Sequence, residues 1–219
     1  MKKYNVVLFD LDGTLTNPKE GITKSVQYAL NKMGIVEENR DELTKFIGPP
    51  LVESFQRYYD MPEPKAWEAI KAYREYFVDK GMLDNQVYLE IPELLQVLTS
   101  KGCKLAVATT KPTIYAEQTL EHFGLASYFS IIIGSNLDGS RVDKKEIIQV
   151  IIESLGVNKL DDMVMIGDRK HDIIGAKQHN IDSIGVLYGF GSKDELEEAG
   201  ATYIVPSVEE LASLLGVEA

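Results

Sequence analysis

Six short apolar runs punctuate this chain, at residues 4–9, 104–109, 129–133, 163–166, 183–188 and 202–205. Several are apolar at consecutive positions, as in Ile131-Ile132-Ile133 and Met163-Val164-Met165-Ile166. A strand that shows one face to water alternates apolar and polar residues; a continuous run fits a strand buried on both faces, as in a parallel sheet. Amphipathic stretches at 91–100, 112–122, 144–155, 172–178, 193–199 and 208–215 lie between or after these runs. Strand and helix in alternation predict an α/β fold with a doubly wound, Rossmann-like parallel sheet.

One stretch breaks the rhythm. Residues 18–82 hold no convincing strand, only helical spacing: Ile22, Val26, Ala29, Leu30 and Met33, then Trp67, Ile70, Tyr73, Arg74 and Phe77. Gly48-Pro49-Pro50 and Met61-Pro62-Glu63-Pro64 read as turns within it. The expectation is therefore an α/β core from residues 1–16 and 83–219, with an all-α cap of residues 17–82 inserted after the first strand. Paired entry and exit segments could let such an insertion act as a lid; the plainer reading is helices packed permanently on the core.

Charge narrows the partners. The 219 residues carry 34 acidic against 23 basic side chains, a formal net charge of -11. Gripping a nucleic acid polymer or an anionic membrane needs a basic surface, so both are excluded as expectations. Phosphorylated small molecules are not, since a local cation reverses the sign of a pocket. Cys103 stands alone, so no intrachain disulfide is available, and the apolar run after Asn5 is cut by Asp10 and Asp12. Both features lead us to expect a cytoplasmic chain.

The acids fall in a pattern. The first run ends in Asp10-Leu11-Asp12-Gly13-Thr14, at the strand end where open α/β sheets bind ligands. Two carboxylates this close resist joint ionisation without a cation, so the spacing asks for a metal or for an acid/base role. A second group, Gly167-Asp168-Arg169-Lys170-His171-Asp172, follows the fourth run. Two such strand ends can converge on one hard cation with oxygen ligands, most plausibly Mg2+. Asp172 reads equally well as a helix N-terminal cap. Thr109-Thr110 ends the second run, where a hydroxyl and helix N-terminal amides favour an anion. Lys144 and Lys145 start a helix, where the dipole disfavours them.

Taken together, these segments resemble the haloacid dehalogenase superfamily, in its phosphatase branch. Its first motif falls on Asp10 to Thr14, its second on Thr109, its third on Lys144 with Lys145 as the alternative, and its fourth on Gly167-Asp168 and Asp172. Residues 136–141, 165–177 and 188–201 are similar to a bacterial group of phosphoglycolate phosphatase-like and 5'-nucleotidase-like proteins. The resemblance implies hydrolysis of a small phosphate ester through an aspartyl-phosphate. Asp10 would be the nucleophile and Asp12 the acid/base. Mg2+ would be held by Asp10, the backbone carbonyl of Asp12, and Asp168. Gly13, Thr109, Thr110 and Lys144 would hold the phosphate, with Thr14 and Asp172 supporting them.

Three other readings compete. A phosphosugar mutase would share all four motifs. Gly189-Phe190-Gly191 hints at a dinucleotide site, but Asp194 occupies the third glycine position. A receiver-like signalling domain also gathers aspartates, yet lacks the helical insertion. His122, His171 and His179 show no ligand spacing and are assigned no role.

Overall fold

The structure is a computed structural model that describes residues 3–217. Its chain divides into two compact units, one of the residues up to Asn17 and from Val87 onward, the other Pro18–Gln86.

In the first unit, six strands form one parallel sheet: β1 (Val6–Phe9), β4 (Lys104–Pro112), β5 (Ile131–Ser135), β6 (Met163–Gly167), β7 (Asp182–Val186) and β8 (Tyr203–Val205). Two-residue strands β2 (Thr16–Asn17) and β3 (Gln86–Val87) mark where the chain leaves this unit and re-enters it. The order across the sheet is β5-β4-β1-β6-β7-β8. Helices α4 (Ile91–Ser100), α5 (Thr113–His122), α6 (Lys144–Leu155), α7 (Lys170–Gln178), α8 (Lys193–Ala199) and α9 (Val208–Leu214) follow in sequence.

The continuous apolar runs are explained by two cores. Val7, Phe9, Leu105, Val107, Val164 and Ile166 pack with Leu94, Leu95 and Leu98 of α4, Leu120 of α5 and Leu211 of α9. The alternate residues Val6, Leu8, Ala106, Ala108, Met163 and Met165 pack with Ile147, Ile148 and Ile151 of α6 and Ala176 of α7. Each strand thus presents apolar side chains to both faces, as the two-residue strand period requires.

This order has one topological consequence. From β1 the chain goes to β4 and on to β5, then returns to pair β6 on the other side of β1. The direction of winding reverses at β1, so a crevice opens at the C-terminal ends of β1, β4 and β6. Register places Phe9 level with Val107 on one side and Ile166 on the other. The residues just beyond, Asp10, Ala108 and Gly167, therefore lie side by side.

The second unit contains α1 (Lys19–Lys32), a 3-10 stretch (Arg40–Phe46), α2 (Leu51–Tyr59), α3 (Glu63–Tyr76) and a π-helical turn (Phe77–Gly81). Ile22, Val26, Ala29 and Leu30 of α1 are buried, as are Ala66, Ala69, Ile70, Tyr73 and Phe77. Trp67 and Arg74, which share the helical spacing, are only half-buried. The unit runs four residues past the expected exit at 82, because Gly21 donates its N–H to Asp84 O at 2.9 Å and Lys24 pairs with Asp84 at 2.6 Å. Among the described residues, no helix is long and apolar enough to cross a membrane.

Candidate active site

β1 ends at Phe9, and the Asp10 N–H still donates to Ile166 O of β6 at 2.8 Å. Asp10 is thereby fixed as the first residue past the sheet, and it is only 3% exposed. Its Oδ1 accepts the Leu11 N–H at 2.7 Å and lies 3.1 Å from Lys144 Nζ. The chain then turns back tightly, with the N–H groups of Leu15 and Thr16 both reaching Leu11 O. Gly13 takes φ +88°, which costs an L side chain strain, and a Cβ there would overlap the Asp168 carboxylate. Its N–H goes to Thr16 O at 2.7 Å. This amide is thus engaged inside the loop.

β4 extends beyond the expected 109, to Pro112. Its register is irregular between Ala108 and Pro112, and Thr109 and Lys111 are both buried. Lys111 Nζ donates to Asp12 Oδ1 at 2.7 Å, and both side chains are nearly sealed from solvent. Sequence reasoning gave Lys111 no role, since it lies past the end of the apolar run. Thr109 Oγ1 accepts the Lys111 N–H at 3.3 Å. Thr110 is half-buried, and its carbonyl accepts from Ser135 Oγ at 2.7 Å. Thr14 is fully buried, its hydroxyl without a partner among the described residues and its carbonyl accepting from Tyr188 Oη at 3.1 Å.

Asp143 caps α6 by accepting the Lys145 N–H, and this starts the helix with Lys144 turned inward. Lys144 is 3% exposed; Lys145 is exposed. Lys144 Nζ donates to Ala108 O at 2.7 Å and lies 2.6 Å from Asp172 Oδ1 as well as near Asp10. Burial opposes its charge, but Asp10 and Asp172 outweigh burial and hold the ammonium above its usual range. Asp172 stands in the first turn of α7 rather than at its cap, which is Arg169. Its Oδ2 accepts the Arg169 N–H at 3.1 Å, while its other oxygen faces Lys144. Burial raises its carboxyl to about 6, against the pull of Lys144.

Asp168 is the first residue past β6 and is fully buried. Its Oδ2 accepts the Phe190 N–H at 2.8 Å, whereas Oδ1 is buried with no hydrogen-bond partner among the described residues. Gly189 and Gly191 flank that donor because a Cβ on either would strike Asp168. These glycines thus serve close packing of the loop on Asp168. Burial first, then the charges of Asp172 and Asp10, push the Asp168 carboxyl well above the usual range. Asp12 is also raised, chiefly by burial, with Lys111 opposing.

Would a cation fit? Asp10, Asp168 and Asp172 each offer an oxygen within 4.8 Å of the others. Among the described residues, four buried carboxylates (Asp10, Asp12, Asp168, Asp172) face two buried ammonium groups (Lys111, Lys144). The formal imbalance equals one divalent ion, and the orphaned Asp168 Oδ1 is an oxygen such an ion would engage. The donor set is all oxygen, which suits a hard cation.

Comparison with known proteins agrees with this frame. The profile of the haloacid dehalogenase-like hydrolases matches residues 7–186, and the chain belongs to that family. It is similar to a 5'-nucleotidase of Pseudomonas aeruginosa, 45% identical over 97% of this chain and 96% of the relative. It is also similar to the tyrosine-protein kinase PtkA of Mycobacterium tuberculosis, 37% identical over 97% of this chain and 72% of the relative. A crystal structure of a predicted phosphatase from Clostridium acetobutylicum superposes with a TM-score of 0.95 at 54% identity, covering 98% of this chain and 99% of that one. The chain is accordingly a hydrolase of the haloacid dehalogenase-like class.

Proposed function

We propose that this chain hydrolyses small phosphate monoesters with Mg2+, through a phosphoryl group carried on Asp10, and that nucleoside 5'-monophosphates are its substrate class. One observation carries the reaction: the Asp10 carboxylate lies 3.1 Å from the buried Lys144 ammonium, within the Asp168–Asp172 cluster, with a second acid two residues on. An anion attacks an anionic phosphoryl group only where charge is screened. Lys144 supplies one positive charge beside the attacking oxygen. Asp10 and Asp168, with the Asp12 backbone carbonyl, would hold Mg2+, which supplies further charge neutralisation when bound.

Asp10 attacks phosphorus and the ester oxygen departs. Asp12 gives that oxygen its proton and later takes one from the water that releases phosphate, a role worth about 10²–10⁴-fold. Burial pushes its carboxyl upward, the direction a proton donor needs. Thr109 and Thr110, at the end of β4, would hold phosphoryl oxygens.

The substrate class rests on the 5'-nucleotidase relative rather than on the site, whose core groups address only the phosphoryl end. Phosphoglycolate is the second candidate, on the family resemblance. Phosphate release from a panel of both ester types, with and without Mg2+, tests the proposal. Release from nucleoside monophosphates, abolished by chelation and by Asp10→Asn, is expected. Isomerised ester without free phosphate would instead indicate a mutase.

A further inference from the structure

The loop between β7 and α8 touches both acidic loops. Tyr188 Oη reaches Thr14 O at 3.1 Å. A Cβ on Gly189 would collide with Gly13 O and with Asp168, and one on Gly191 with Asp168 O. Between them, the Phe190 N–H takes Asp168 Oδ2. Of the two Asp168 oxygens, Oδ1 alone is left without a partner among the described residues.

What presses this loop home lies one helical turn further on. Ser192 caps α8 by accepting the Glu195 N–H at 3.1 Å, which sets Glu195 in the first turn. The Glu195 carboxylate then accepts from Arg169 Nε at 2.9 Å and Nη2 at 3.4 Å, and from the Lys170 N–H at 2.9 Å. Arg169 and Lys170 are the two residues after Asp168. Their side of the pair is well covered, with side-chain exposures of 12% for Arg169 and 21% for Glu195. A two-point guanidinium–carboxylate contact of this kind fixes orientation as well as distance.

We propose that Glu195 is a positioning residue for the cation: it latches α8 to the backbone beyond Asp168, so that the Phe190 amide stays on Oδ2 and Asp168 offers a cation one oxygen only. The inference rests on the metal-site reading above. It also assigns a preference. Mg2+ and Mn2+ are small, take near-octahedral shells and accept single carboxylate oxygens, whereas Ca2+ is larger and readily takes both oxygens of one carboxylate. Loosening the latch frees Oδ2, so it weakens the small ions and relaxes discrimination against Ca2+. Partners that orient ligating groups typically change metal affinity by about 10–100-fold when removed.

The experiment is calorimetric titration of the full chain with Mn2+, Mg2+ and Ca2+, without substrate. The variants are Glu195→Ala, Glu195→Gln and, as a control on the same helix, Lys193→Ala, which breaks only the exposed pair with Glu197. Glu195→Ala is expected to raise the Mn2+ and Mg2+ Kd about ten-fold and to narrow their margin over Ca2+. Glu195→Gln, which keeps one acceptor for the Lys170 N–H, is expected to lie between it and the wild type. Lys193→Ala should titrate as wild type. Unchanged affinities and ion ratios in both Glu195 variants would overturn the proposal, as would an equal loss in Lys193→Ala. Should Glu195→Ala fail to fold, the isosteric Gln variant decides. A wild-type chain that binds no divalent ion would sink the functional reading itself, whereas wild-type binding with unaltered variants sinks only the latch.

Discussion

Two acidic loops leave one edge of one sheet from neighbouring strands, and they neutralise their carboxylates differently. The loop after β1 is matched by protein cations: Asp12 has Lys111 at 2.7 Å, and Asp10 has Lys144 at 3.1 Å. The loop after β6 is not. Asp168 receives a backbone amide and keeps a buried oxygen without a partner, and Asp172 shares the lysine that already faces Asp10. Burying a carboxylate is costly, and burial raises the carboxyls of Asp168 and Asp172 as it does that of Asp12, with Asp168 pushed well above the usual range and no lysine opposing it. On the proposed mechanism the contrast separates two tasks between the loops: the first would hold the groups that do the chemistry, the second a cage that a guest cation would complete.

The sharpest way to break this contrast is to neutralise one carboxylate in each loop. Asp10→Asn should lower turnover more than about 10⁴-fold and should not recover at any Mg2+ concentration, since the attacking atom is lost. Asp168→Asn should lose activity chiefly by losing cation affinity, and raising Mg2+ should restore part of it. Steady-state rates across a Mg2+ series distinguish the two.

Asp12→Asn comes next. A proton donor matters most for a poor leaving group, so the loss should approach about 10²–10⁴-fold on an alkyl ester such as a nucleoside monophosphate. Measured as kcat/KM, which stops at phosphoryl transfer and leaves out the later water step, it should be far smaller on p-nitrophenyl phosphate, whose phenolate leaves unaided. Equal losses on both esters would remove Asp12 from the acid role.

Lys144→Met addresses stability, because Lys144 faces an aspartate of each loop. Removing it leaves Asp10 and Asp172 buried without their cation, and breaking a buried pair costs about 3–5 kcal/mol. Denaturant unfolding of the metal-free chain should register the loss, and Mg2+ should recover part of it.

The smallest expected effect is on pH. Asp12, Asp168 and Asp172 hold protons more tightly folded than unfolded, the last with a value of about 6. A carboxyl raised by folding favours the native state when protonated, and that contribution fades as pH climbs from the unfolded value through the folded one. The metal-free chain should therefore melt at a higher temperature at pH 5 than at pH 7. Saturating Mg2+ should flatten or reverse that slope.

Much of the fold could be read from the residues because patterning and packing agree. Continuous apolar runs marked strands buried on both faces, and α4, α6 and α8 begin and end where the amphipathic stretches do. Asp10, Asp12 and Asp168 stood out because charge just past a buried run needs a reason, and Lys144 because a helix start disfavours a lysine and the family resemblance places its third motif there. Lys111 was not, since β4 continues through Pro112, past the end of the apolar run and with an irregular register between Ala108 and Pro112. Gly189 and Gly191 suggested a phosphate-binding turn; their purpose is contact with Asp168, a residue about twenty positions away, and no local pattern encodes that. The engaged Gly13 amide was hidden for the same kind of reason, because its acceptor depends on how the loop folds back to Thr16.

The central claim is that Asp10 itself carries the phosphoryl group. Mixing the enzyme with a radiolabelled phosphate ester, quenching in acid during turnover, and mapping the labelled peptides tests it directly. Label should appear on the peptide that contains Asp10, exchange away on a chase with unlabelled ester, and give homoserine at position 10 after borohydride reduction. An enzyme that turns over the same ester with no acid-stable label on that peptide, or with label on another residue, would contradict the account.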